Sequence, residues 1–411
     1  MARTGHDGPY RSQFMIHLFI NALAASAGGG LTYVRNVVPQ LALRKDIQVS
    51  VALSPTLRHE FQNVPGICFF GLEMPKLSRF FYEQRALPHV IRASGANVLL
   101  SAGNFALRNS PIPQILLSRN SLYLSRDFFR DLRNRAEFRM WASTHAQALL
   151  ARRSIQWADA TVAPSHAFAS DLERWTGKKV ITIHHGFNQD AFTRDPTPLA
   201  PIVQRKLEDA DASFKILFVS HYNYYRNFET LIRALPIFRC RFRGRSVRLL
   251  VTCELSSGTN PGGYRSEHAA QLVKRLGVSD MLVELGSVPY TQLHWLYSRA
   301  EMYVTPAYTE TFAHPLVEAM ASGAPIAASD IPLHREICGD AAIYFDRFSP
   351  EAIADSVLQV AERRELRADM VQEGHRRAAD FSWKTHVDQI LDLAATLLEC
   401  RPLLRRSMHV A

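Results

Sequence analysis

Long apolar runs are missing from this chain: no stretch reaches the ~18–20 residues a membrane-spanning helix needs. Cysteine is scarce. Cys68, Cys240, Cys253, Cys338 and Cys400 are scattered, odd in number and form no C-x-x-C, which argues against a disulfide framework or a zinc site and suits a reducing cytosol. There is no low-complexity tract and no repeat at solenoid spacing. The dinucleotide pattern G-x-G-x-x-G is absent too, so a nicotinamide cofactor is not expected. Asp209-Ala210-Asp211 imitates a D-x-D metal motif but precedes a strand pattern instead of ending one, and reads as solvated linker charge. No other metal-ligand spacing occurs, and no metal is expected. The stretch from Phe14 to Ala27 has arginines ahead of it and small residues behind it, as a signal peptide would. His17 and Asn21 interrupt it, and it reads as a first buried strand.

What is present points to an ordinary folded protein of some size. At 411 residues, with 47% hydrophobic and 21% charged residues, two domains are expected. Residues 1–190 carry 22 Lys and Arg against 12 Asp and Glu; the remainder is balanced, so the whole net charge of +10 lies in the first half. A basic half fits an anionic partner, whether a phospholipid surface, a phosphorylated acceptor or nucleic acid; a merely soluble basic surface is the plainer reading.

Both halves alternate strand-like and helix-like segments. In the first, Phe14–Asn21 is a short apolar run, Gly28-Gly29-Gly30 breaks it, and Leu31 to Leu43 follows at helical spacing. Further strands are expected at Ile47–Leu53, Ile67–Phe70, Val98–Ser101, Gln114–Leu117, Ala160–Ala163 and Val180–Ile183, with a helical stretch from Phe128 to Arg153. Three prolines in Asp195–Pro201 mark a boundary. The second half starts over, with strands at Lys215–Val219, Val247–Val251, Met281–Leu285, Met302–Thr305, Ile326–Ala328 and Ala342–Phe345 and helices between. This pattern implies an α/β protein of two doubly wound parallel sheets facing a cleft: residues 1–195, residues 202–378, and a last helix in 379–411. That helix carries Trp383, Val387, Ile390, Leu391, Ala394, Leu397 and Leu398 on one face and must dock on something. Arg126, Arg130 and Arg133 line one face of a further helix beside Phe129, Leu132, Ala136 and Met140; it could lie on an anionic membrane or face the core.

Three constellations carry chemistry. Glu310-Thr-Phe-Ala-His-Pro-Leu-Val-Glu318, followed by Ala-Met-Ala-Ser-Gly323-Ala-Pro325, runs from a strand end through a loop into a helix. Pro315 suits a first helical turn, and N–H groups near Phe312, Ala313 and His314 would favour a phosphate. Second, Ser220-His221 follows a strand, and Arg226-Asn227 opens the next helix. Third, Gly28-Gly29-Gly30 lets the backbone approach a phosphate or sugar.

Together these resemble the retaining glycosyltransferases of GT-B fold, family 4, with supporting matches at Ala163-Pro164-Ser165, His185-Gly186-Phe187-Asn188 and Leu285-Gly286-Ser287-Val288-Pro289. The resemblance implies two Rossmann-like domains, the first binding the acceptor and the second a nucleotide-diphosphate sugar, with the last helix crossing back to the first domain. It implies that Glu318 binds the ribose, Glu310 the transferred sugar, Arg226 and the glycine loop the diphosphate, and backbone around Gly286 and Val288 the base. Ser220-His221 stands where the family has Gly-Arg, so His221 is the candidate for a second charge. Arg119 stands where many members have a histidine touching the sugar. No cofactor beyond the donor is expected. A glycan or lipid-linked acceptor is expected, with cytoplasmic location and peripheral contact with the inner membrane face; nucleic acid is not. The alternatives are a phosphorylase or nucleotide-sugar epimerase on the same scaffold, a non-catalytic nucleic-acid- or anion-binding protein, and a catalytically silent scaffold.

Overall fold

The computed structural model describes residues 15–407 apart from 26–27, 62–63, 65, 72–75, 195, 243 and 256–259. Phe14, the expected first residue of the first strand, lies outside the described residues.

The first sheet has seven strands: β1 (Ile16–Asn21), β2 (Ile47–Leu53), β3 (Ile67–Gly71), β4 (Val98–Ser101), β5 (Gln114–Leu117), β6 (Ala160–Ala163) and β7 (Ile181–Thr182), in the order β3-β2-β1-β4-β5-β6-β7. The second has six: β8 (Phe214–Phe218), β9 (Val247–Val251), β10 (Leu282–Glu284), β11 (Met302–Thr305), β12 (Ile326–Ser329) and β13 (Ala342–Phe345), in the order β10-β9-β8-β11-β12-β13. All pairings are parallel. Strands such as Val98–Ser101 and Phe214–Phe218 are buried throughout, because helices cover both faces of a parallel sheet. In each sheet the strand order reverses beside the first strand, between β1 and β4 and between β8 and β11. Crevices open at such reversals, and the loops after these four strands build the cleft described below.

The segment read as either signal peptide or strand is the central strand β1, paired with β2 and β4. The last helix, Trp383–Ser407, packs Trp383, Val387, Ile390, Leu391 and Ala394 into the core of the first sheet. Two chain crossings meet where it begins. His386 Nδ1 lies 2.8 Å from the His184 carbonyl, and Phe187 N–H donates to Phe381 O at 3.1 Å. A Cβ on Gly186 would lie 2.0 Å from Trp383 N, so only glycine fits this crossing.

Several expected elements differ. The long helix from Phe128 to Arg153 is two helices, Arg126–Asn134 and Phe138–Trp157, broken at Ala136 with φ 56°. The break turns the first of them into the second domain, whose core takes up Phe128 and Leu132. Of the apolar face, Leu132 is buried, Phe129 and Met140 are half-buried and Ala136 is exposed, and Arg126, Arg130 and Arg133 are exposed beside it. Pro201 does not extend the linker but opens the helix Pro201–Glu208, as proline can in a first turn. Asp211 is exposed and paired with Lys215 at 2.9 Å, consistent with linker charge.

Candidate active site in the interdomain cleft

A cleft of about 650 Å³ lies between the two domains. Its second-domain wall begins after β8. Asn223 caps a short turn, its Oδ1 accepting from Arg226 N–H at 3.1 Å. Asn227 then takes a left-handed conformation, φ 58°, and its side-chain amide donates to Pro306 O at 3.2 Å and to Arg347 O at 2.5 Å. These bonds tie the loop after β8 to the loop after β11 and aim Arg226 into the cleft. There it forms an ion pair with Glu310; the two side chains are only 15% and 10% exposed. Burial alone would discharge both groups. It raises the Glu310 carboxyl, with Arg226 opposing. It also disfavours the Arg226 cation, but Glu310 together with Tyr225 and Tyr303 outweighs it and raises the guanidinium. Arg226 Nε remains buried without a hydrogen-bond partner.

The loop after β11 ends at Ala313, left-handed with φ 59°, and the helix His314–Ala321 follows. Phe312, Ala313 and His314 all line the cleft at this helix start, where N–H groups have no intrahelical acceptor. One turn on, Glu318 is 4% exposed and accepts a 3.0 Å hydrogen bond from Tyr297 Oη. Burial pushes its carboxyl up to about 7. Val288 lines the same wall; Gly286 stands behind it at φ 77° and is not itself on the cleft surface. His221 reaches the cleft and is exposed, without a side-chain partner among the described residues.

The opposite wall is mostly backbone. Gly28 opens the helix Gly28–Ala42, so the glycines are its first turn and not a loop; Gly29 and Gly30 line the cleft. A Cβ on Gly30 would crowd Ala25 Cα at 3.3 Å, while one on Gly29 would meet nothing. Arg119 lines the cleft, with backbone partners for two of its three guanidinium nitrogens and its Nε buried without a partner among the described residues. Its Nη1 donates to Gly29 O at 2.7 Å, its Nη2 to Ala102 O, and its guanidinium lies 5.0 Å over the Tyr33 ring. Burial lowers it to about 10. Through its two bonds it joins the first turn of the helix Gly28–Ala42 to the loop after β4.

Sequence reasoning missed His185. It stands in the supporting string His185-Gly186-Phe187-Asn188, yet it lines the cleft, buried, with both ring nitrogens unpartnered among the described residues. Its ring centroid lies 5.4 Å from that of His314. Burial, then neighbouring positive charge, holds both rings neutral: His185 falls well below its ordinary value and His314 to about 4. Asn104, Thr252 and Tyr290 also face the cleft and had no motif to announce them. Among the described residues, His166, His184 and Glu336 bring potential metal-ligand atoms within 4.8 Å of one another. Glu336 is already occupied, accepting from His166 and Ala167 N–H at 2.7 Å each and lying 2.8 Å from His184 Nε2. None of the three lines the cleft.

The family model "Glycosyl transferases group 1" matches residues 201–377, and "Glycosyltransferase Family 4" matches residues 27–191. The chain belongs to the family 4 glycosyltransferases. Among curated relatives, O-antigen chain mannosyltransferase B of Escherichia coli is 26% identical over 221 residues, 54% of this chain and 55% of that protein. A D-inositol 3-phosphate glycosyltransferase of Salinispora arenicola is 27% identical over 248 residues, 57% of this chain and 54% of that protein. The chain thus spans about half the length of the curated relatives it matches. Among solved structures, sucrose-phosphate synthase from Thermosynechococcus elongatus superposes with TM-score 0.72 at 16% identity, covering 94% of this chain and all of that one. Anabaena HepE in complex with UDP-glucose gives TM-score 0.69 at 16% identity, covering 93% of this chain and all of that one. These likenesses establish the GT-B fold.

Proposed function

We propose that this family 4 glycosyltransferase moves a sugar, with retention of anomeric configuration, from a nucleotide-diphosphate sugar to a hydroxyl of a glycan or lipid-linked glycan. The reading is carried by one observation: a buried Arg226–Glu310 ion pair and a buried Glu318 stand on either side of a helix start in one cleft. The binding of UDP-glucose by HepE supports a donor of this class.

In this reading the nucleoside occupies the wall of Val288, Tyr290 and Glu318, with ribose hydroxyls donating to the Glu318 carboxylate. The diphosphate meets the His314 helix start and the first turn at Gly29–Gly30. Arg226 shares its guanidinium between Glu310 and a phosphate oxygen, which leaves Glu310 able to accept from a sugar hydroxyl. Transfer then breaks the bond from the anomeric carbon to the phosphate oxygen and forms one to the acceptor oxygen on the same face. The acceptor proton passes to the departing phosphate, so no side-chain base is needed. Fixed positive charge beside the leaving group supplies the main stabilisation, and domain closure excludes water. The basic first half favours an acceptor carrying phosphate. Among the described residues no helix is long and apolar enough to cross a membrane.

The test is a panel of UDP-, GDP- and ADP-sugars, followed by proton NMR of the product. One donor should be consumed with its anomeric configuration kept. An inverted product would refute retention, and no binding or turnover with any donor would sink the reading.

A further inference from the structure

We propose that a second cavity, bridging the two domains and sharing no lining residue with the cleft, binds a small sugar phosphate. It measures about 450 Å³, within the range of small-molecule sites. The helix Arg126–Asn134 of the first domain forms one side, and the helices Phe228–Arg241 and Glu267–Arg275 of the second form the other.

The two ends of the cavity differ in chemistry. At the floor, the Arg135 guanidinium donates to Asp131 Oδ1 at 2.7 Å and Glu229 Oε1 at 2.9 Å, and lies 4.2 Å over the Tyr224 ring. Tyr308 Oη donates to Asp131 Oδ2 at 3.1 Å, and Tyr222 Oη to Glu229 Oε1 at 2.7 Å. One cation therefore serves two carboxylates, and Glu229 Oε2, on a side chain only 9% exposed, has no hydrogen-bond partner among the described residues. Burial would raise the Glu229 carboxyl, but Arg135, Tyr222 and its own backbone N–H hold it below the ordinary range, so it stays an acceptor. A buried acceptor left without a donor is unfavourable, and a ligand hydroxyl that entered between the cavity and this carboxylate would supply one. At the rim the balance reverses. Arg233, His268 and Arg275 are exposed and have no acidic partner among the described residues. Arg130, across from them, is held by Asp127 at 2.6 Å.

A bare anion would meet the carboxylates at the floor, and a neutral sugar would leave the rim cations unused. Hydroxyls at one end and a phosphate at the other match both. Because the walls come from both domains, an occupant that prefers this arrangement favours it in proportion to its differential affinity.

Isothermal titration calorimetry on the whole chain tests this with glucose 6-phosphate, glucose and inorganic phosphate as probes. Each is titrated with and without the nucleoside diphosphate the protein binds. Glucose 6-phosphate should bind at one site whether or not nucleotide is present, with glucose and phosphate at least tenfold weaker. The double variant Arg233→Ser/Arg275→Ser, altered only at exposed positions, should weaken it at least tenfold and leave nucleotide affinity unchanged. No heat with glucose 6-phosphate would overturn the proposal, as would binding that survives the double variant, phosphate binding as tightly, or displacement by nucleotide. Failure to bind any nucleoside diphosphate would count against the proposed function and leave this direct measurement standing.

Discussion

The two walls of the cleft are built on different principles. The second-domain wall presents ionisable side chains: Arg226, Glu310 and Glu318 are all largely buried and partnered by neighbours of the same domain. The first-domain wall presents helix-start glycines, and its one cation, Arg119, is tied to the carbonyls of Gly29 and Ala102. Charge is thus concentrated on one side and shape on the other. A charged wall suits a ligand part common to many substrates, such as a diphosphate. A wall of backbone and small residues suits a part that varies, because its outline changes with few substitutions.

The sharpest way to break this contrast is to remove the second wall's cation. Arg226→Ala should lower kcat by roughly 10²–10³-fold at saturating donor. It should also lower the melting temperature, since Glu310 is left buried without its counter-charge. Arg226→Met/Glu310→Gln should recover the stability but not the turnover; recovery of both would end the leaving-group role. On the first wall, Arg119→Met should cost about 2–3 kcal/mol of stability through two lost charge-assisted hydrogen bonds, read by chemical denaturation. Nucleotide affinity should change less than threefold; a tenfold loss would put Arg119 on the ligand after all.

The third test uses titration. Burial raises Glu318 to about 7, and in the proposed role ribose hydroxyls would donate to its charged form. Binding therefore lowers the pKa and releases a proton. Affinity should rise with pH up to about 7, by as much as about tenfold per unit, and level off above. Glu318→Gln, compared at each pH so that phosphate titration cancels, should bind about tenfold more weakly at pH 8 and show a smaller slope. An unchanged slope would remove Glu318 from the ribose. The smallest effect is expected at Ala313. Its left-handed backbone strains a residue with a Cβ, so Ala313→Gly should stabilise the fold by up to about 1 kcal/mol. A loss of stability would mean that the Ala313 methyl packs usefully.

Much of the scaffold could be read without coordinates. The β-α alternation, the cleft between domains and the positions of most strands follow from apolar runs and their breaks. The candidate site was legible where a motif is local: Glu310 to Glu318 lies on one loop and helix, and Arg226-Asn227 on one helix start. Legibility failed where the outcome depended on segments far apart in the chain. The Arg119 bonds to the carbonyls of Gly29 and Ala102 were not legible, because those partners lie on a helix start and a loop distant in the chain. Nothing local in the helix Arg126–Asn134 revealed that Phe128 and Leu132 join the core of the second domain. His185 stands in a string that served only as a supporting match, and it is buried beside His314, next to the crossing of Gly186 and Trp383.

By itself the sequence determined the fold class and which residue types stand at the ends of which strands, because periodicity and turn chemistry act over a few residues. Only the tertiary structure decided what those residues meet. It paired Arg226 with Glu310, committed Arg119 to backbone carbonyls, and left Glu229 Oε2 unpartnered in a cavity between the domains. The physical reason is that charge, hydrogen bonding and desolvation depend on distances of a few ångströms between segments the chain brings together only on folding.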